Sequence, residues 1–74
     1  MKRESLPHIK KFTKYFGEEP IACVVVKQND NGACIWECDF ESGEYRYVIE
    51  GETGEFLETY ETYDDTIVEW NITE

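Results

Sequence analysis

Cys23, Cys34, Cys38 and His8 are the side chains of this 74-residue chain best suited to covalent or metal chemistry. A zinc ion holds its sulfur and nitrogen ligands at ~2.0–2.3 Å. Cys34 and Cys38 are four apart in a segment that reads as a strand, roughly 13 Å at ~3.3 Å per residue, so the two cannot share one ion. No Cys-x-x-Cys pair occurs. The expectation is no metal site, with the thiols serving as small buried apolar groups. Cys23 approaches Cys38 if the first hairpin has a four-residue loop, which leaves a disulfide open in an oxidising setting.

His8 stands beside Lys10 and Lys11, with no serine or cysteine at a spacing that marks it as a nucleophile's base, and it reads as a solvated surface residue. Carboxylate pairs recur, but seventeen Asp and Glu in 74 positions produce such pairs by composition alone, so no glycosidase or protease dyad stands out. Asn29-Asp30-Asn31-Gly32 lacks the further ligands and distant glutamate of a calcium loop. Gly51-x-x-Gly54 lacks the glycine count and strand-to-helix context of a phosphate loop. Both read as turns. A chain this short also has little material for a deep pocket. The expectation is therefore a binding protein with no catalytic residue, no metal and no cofactor.

Charge narrows the class of partner. Five of the seven bases (Lys2, Arg3, Lys10, Lys11, Lys14) lie in the first fourteen residues, with Glu4 the single acid there. From Tyr15 onward sixteen acids face Lys27 and Arg46, a net of -14. Direct nucleic-acid binding needs a cationic footprint and is not expected; a protein with a basic surface is the natural complement. The longest apolar run, Ile21 to Val26, is far short of the ~20 residues of a membrane span. Neither a membrane role nor an export signal is expected. The odd cysteine count then favours reduced thiols in a cytoplasm.

These side chains need elements to position them. Leu6, Ile9, Phe12 and Phe16 form one helical stripe, with Ser5 as N-cap, Pro7 tolerable in the first turn and Gly17 as the stop; a helix is expected over about 5–16. Runs over about 21–28, 33–41, 44–50 and 55–63, divided by short turn signals, read as strands of an antiparallel meander, with a fifth, edge-like run over 66–72. A two-residue Ser42-Gly43 turn pairs Phe40 with Tyr45, Cys38 with Tyr47 and Trp36 with Ile49 on the core face. It also sets Asp39 opposite Arg46 on the other face, with Glu37, Glu41, Glu44 and Glu50. After Gly54, a two-residue turn directs Phe56 and Tyr60 inward, whereas a three-residue turn with a bulge directs Leu57 inward; the first is preferred. Val68, Trp70 and Ile72 alternate as a strand that would finish the core, while Trp70 and Tyr63 are also candidate interface anchors. The fold class is a single α+β domain over 1–74, one N-terminal amphipathic helix packed on a four- or five-stranded antiparallel sheet.

Trp36-Glu37-Cys38-Asp39-Phe40, followed by Tyr45-Arg46-Tyr47-Val48-Ile49-Glu50-Gly51-Glu52-Thr53-Gly54-Glu55-Phe56-Leu57, resembles the PepSY domain over most of the chain. In that family an aromatic residue opens an alternating strand, a second strand ends in an acid, and a Thr-Gly-Glu turn leads to a third. The resemblance implies a helix on a small antiparallel sheet and a role in inhibiting or regulating peptidases, usually outside the cytoplasm. The residues after Tyr60 extend beyond that unit.

Two functions follow as expectations. One is an inhibitory or regulatory protein-binding module, monomeric or homodimeric, that uses Glu37, Asp39, Glu41, Glu44 and Glu50 with Glu52, Glu55, Glu58 and Glu61 nearby. The alternative is a nucleic-acid mimic, of the kind viruses encode, that blocks a basic DNA- or RNA-binding protein. Same-face residues on a strand repeat at ~6.7 Å, twice the ~3.4 Å phosphate spacing of a DNA strand. A solvating acidic face is the plain alternative to both.

Overall fold

Gly32, Gly43 and Gly54 recur every eleven residues, and all three carry a left-handed φ, of 100°, 93° and 95°. Each closes a hairpin of the same design, three loop residues with glycine last. The flanking amide hydrogen bonds run from Asn29 to Ala33, from Phe40 to Glu44 and from Gly51 to Glu55. In the first loop Asn29 Oδ1 also accepts the Asn31 and Ala33 N–H groups, both at 3.0 Å, an Asx turn.

The structure, a computed structural model, describes residues 5–73 and the side-chain surroundings of residues 8–72. The elements are α1 (Ser5–Phe16), β1 (Ala22–Gln28), β2 (Cys34–Asp39), β3 (Tyr45–Glu50), β4 (Phe56–Tyr60) and α2 (Tyr63–Thr73). The strands form one antiparallel sheet in the order β1-β2-β3-β4. This is the expected α+β meander behind an N-terminal helix. Gly17, at φ 78°, ends α1 as anticipated, and its N–H donates to Thr13 O at 2.8 Å. The cap assigned to Ser5 and the placement of Leu6, Pro7, Lys2, Arg3 and Glu4 lie outside the described side chains.

The expected fifth strand is a helix. Thr62 Oγ1 accepts the Asp65 N–H at 3.1 Å, an N-cap three residues ahead of its donor. Asp64 and Asp65 occupy the first turn, where the helix dipole favours negative charge. The alternation of Val68, Trp70 and Ile72 is incidental, since Val68 and Ile72 are exposed. The inward stripe is Thr66, Ile67 and Trp70, at helical spacing. Trp70 does complete a core, but from a helix.

The three-residue loop at Glu41-Ser42-Gly43 shifts every expected partner by one. Asp39 pairs with Tyr45, Cys38 with Arg46, Trp36 with Val48 and Cys34 with Glu50. Cys34, Trp36, Cys38 and Phe40 therefore share the α1 side with Val48, Phe12 and Cys23. Ile35 and Ile49, with Ala33 and Trp70, form a second core under α2, joined by Tyr47, Tyr60 and Ile67. The sheet thus has apolar clusters on both faces.

Two bulges refine this pattern. Leu57 is the extra residue between the Glu50–Phe56 and Ile49–Glu58 pairs and is exposed. Phe56 turns inward as preferred, stacked on Phe12 at 4.7 Å, although the loop before it has three residues. The bulge puts Tyr60 on the opposite face, toward α2. Val26 is the extra residue in β1, between Val25–Trp36 and Lys27–Ile35. Among the described residues no helix is long and apolar enough to cross a membrane.

Candidate functional site

The expected acidic face is divided by the observed register. Glu50 lies on the α1 side and is 8% exposed. It does not join a solvent-facing row: its carboxylate accepts the Trp36 indole N–H at 2.7 Å and the Cys34 thiol at 3.6 Å. His8 Nε2 lies 3.3 Å from Glu50 Oε1, and Lys11 Nζ lies 3.4 Å from Oε2. His8 stacks on Trp36 with centroids 4.3 Å apart. The histidine is therefore half-buried in a polar network that fastens α1 to β3, and it is not the solvated residue expected. Burial pushes the Glu50 pKa up, but the Trp36 hydrogen bond, His8 and Lys11 outweigh it and hold the carboxyl below the ordinary range.

Cysteine, histidine and glutamate in one cluster invite a nucleophilic reading, which the geometry opposes. The Cys34 thiol points to Glu50 and not to His8. Burial and the charge of Glu50 push its pKa up to about 11, so at neutral pH it is a thiol and a poor nucleophile. The network is a structural clamp.

The other face differs. Helix α2 covers β3, β4 and the Ala33–Ile35 end of β2. It leaves the far end of β2 and its neighbour β1 open. There Val24 pairs with Glu37, Ala22 with Asp39, and Asp39 with Tyr45. Val24 and Tyr45 are 45% and 48% exposed, while Glu37 and Asp39 are half-buried between them. Glu37 accepts the Tyr47 hydroxyl at 3.1 Å, and burial followed by Glu37 pushes the Tyr47 pKa up. Asp39 Oδ1 is buried with no hydrogen-bond partner among the described residues. Tyr63, the first residue of α2, packs edge-on against Tyr47 at 5.8 Å, and Asp64 and Asp65 follow it in the first turn of that helix.

The remaining acids are spread around the rim. Glu41 opens the second hairpin loop and Glu44 follows it, and Glu44 pairs with Arg46 at 3.2 Å. Arg46 thus balances Glu44, since Asp39 sits opposite Tyr45. Glu52 and Glu55 are exposed at the third loop, where the Thr53 hydroxyl donates to Glu55. Glu58 faces the α2 side opposite Ile49, and Glu61 precedes α2. The structure brings Glu37 and Asp39 together and disperses the rest.

Tyr45, Val24, Asp64 and Asp65 were not among the residues expected to meet a partner. The signal for the acids is Thr62-x-x-Asp65, a helix-start pattern ahead of an apolar stretch. The chain matches no family model, and no curated protein or solved structure shows a significant match to it.

Proposed function

We propose that this protein is a non-enzymatic inhibitory or regulatory module that binds a basic protein through the open patch of Val24, Glu37, Asp39 and Tyr45. Asp39 carries the reading. Its Oδ1 is buried without a hydrogen-bond partner among the described residues, in a half-buried side chain with the exposed Tyr45 directly across the sheet and the exposed Val24 on the neighbouring strand. A lysine or arginine suits that arrangement, its apolar stem lying along the exposed side chains and its cation at the accessible part of the half-buried Asp39 carboxylate. The acids Asp64 and Asp65 in the first turn of α2 add to the field that draws a basic partner. The PepSY resemblance supports the regulatory part of the reading, with α2 as an addition to the helix-and-sheet unit.

A duplex mimic needs a repeated row of acids on one face. Here Glu50 is turned to the opposite side and clamped, and bulges interrupt both outer strand pairs. The test is capture of partners from lysate on immobilised protein at low and high salt. A basic protein should be retained by the parent and by Glu52→Gln, and its affinity should fall about tenfold, ~1.4 kcal/mol, in Asp39→Asn. Displacement of the partner by duplex DNA would favour mimicry. Equal retention by Asp39→Asn would end the reading.

A further inference from the structure

Cys23 and Cys38 are direct register partners across β1 and β2, and both are buried, at 4% and 0% exposure. The bulge aligns them: the pairing Gln28–Cys34, continued without the extra Val26, would set Cys23 against Asp39. Opposed residues in antiparallel strands have Cα atoms ~4.5 or ~5.5 Å apart, and both values lie within the ~4.4–6.8 Å that a disulfide spans.

We propose that Cys23 and Cys38 are a modification site, forming a reversible disulfide that locks the edge strand β1 onto β2 when a low-molecular-weight disulfide acts as oxidant. This goes beyond the binding role and does not depend on it. The Cys23 thiolate attacks one sulfur of the oxidant and expels one thiolate, leaving a mixed disulfide. The Cys38 sulfur then attacks Cys23 and expels the second thiolate, and its proton passes to that leaving group. One disulfide forms and one breaks. The protein gives up two electrons and two protons, and the oxidant becomes two thiols.

The local chemistry orders these steps. The hydrogen bond from Cys38 lowers the Cys23 pKa, so Cys23 ionises first. The same contact, with burial, pushes the Cys38 thiol up. Strand β1 is paired on one side only, so its local opening admits the oxidant. Cys34 is four residues along β2, turned to Glu50, and takes no part.

The experiment incubates the full chain with oxidised glutathione, traps free thiols with an alkylating agent under denaturing conditions, and maps peptides by mass spectrometry. The expected product links Cys23 to Cys38 with Cys34 alkylated, forms equally in Cys34→Ser, and melts several degrees above the reduced chain. Cys23→Ser should yield no intramolecular link. Because that variant could misfold, Cys34→Ser with both partners intact supplies the deciding measurement. The proposal is overturned if the native chain gives only glutathione adducts or intermolecular links, or if the Cys23–Cys38 link appears only in denaturant.

Discussion

The two faces of the sheet are built from different materials. Under α1 the rings interlock: Phe12 contacts Phe16, Trp36 and Phe56 with centroids 4.7–5.9 Å apart, and Phe16 meets Phe40 edge-on at 5.3 Å. A clamped carboxylate stands beside them. Under α2 the core is smaller, Ala33, Ile35, Ile49 and Trp70, and beyond it the sheet is uncovered and acidic. The first face carries the larger core, and the second leaves part of the sheet exposed.

Substitutions can break this contrast. Phe12→Ala removes a fully buried ring at the centre of the α1 face and should cost about 4 kcal/mol in urea unfolding. Ile67→Ala, at the half-buried margin of the α2 core, should cost well under half as much. Equal losses would remove the asymmetry.

Glu50→Gln should cost about 2 kcal/mol at pH 7, since it removes a charged acceptor from Trp36, His8 and Lys11. The sign of its pH dependence follows from the direction of the shift. The folded carboxyl is held below its unfolded value, so its contribution is full above about pH 5 and is lost as pH falls through the folded pKa. Parent and Glu50→Gln stabilities should therefore converge on acidification. A constant difference across acid pH would show that the clamp is not electrostatic.

Smaller effects sharpen the α2 side. Thr62→Ala deletes the cap and should cost about 1 kcal/mol, with reduced helical circular dichroism. Asp39→Asn keeps the side chain's shape and breaks no hydrogen bond at the unpartnered Oδ1, so it should change stability by less than about 0.5 kcal/mol. Large destabilisation there would make Asp39 a structural residue and weaken its assignment to a partner.

Much of the architecture was legible. The apolar stripe of α1, its glycine stop and the order of four strands follow from periodicity and turn residues, which act over a few positions. Register was not, because Ser42-Gly43 reads equally as a two-residue turn or as the end of a three-residue one, and one residue reverses every side chain. Helix α2 was obscured by β-branched residues, Thr66, Ile67, Val68 and Ile72, whose weak strand preference yields to the Thr62 cap and the packing of Trp70. The acids were legible as composition, but their faces depend on that register. Glu50 was assigned to solvent, since its partners His8 and Lys11 lie about forty residues away along the chain.

The repeated three-residue hairpins bear on how the chain finds its structure. Every strand pairs with its neighbour in sequence, so each ladder can grow outward from its own loop on the microsecond scale of an isolated hairpin. The slow requirement is of another kind. Phe12 must reach Phe56, and Lys11 must reach Glu50, contacts that close most of the chain's length and carry the loop-entropy cost of distant pairing. On that ground docking of α1 is expected to set the rate, so changes at Phe12 should slow refolding more than changes at the hairpin loops, as stopped-flow refolding would measure.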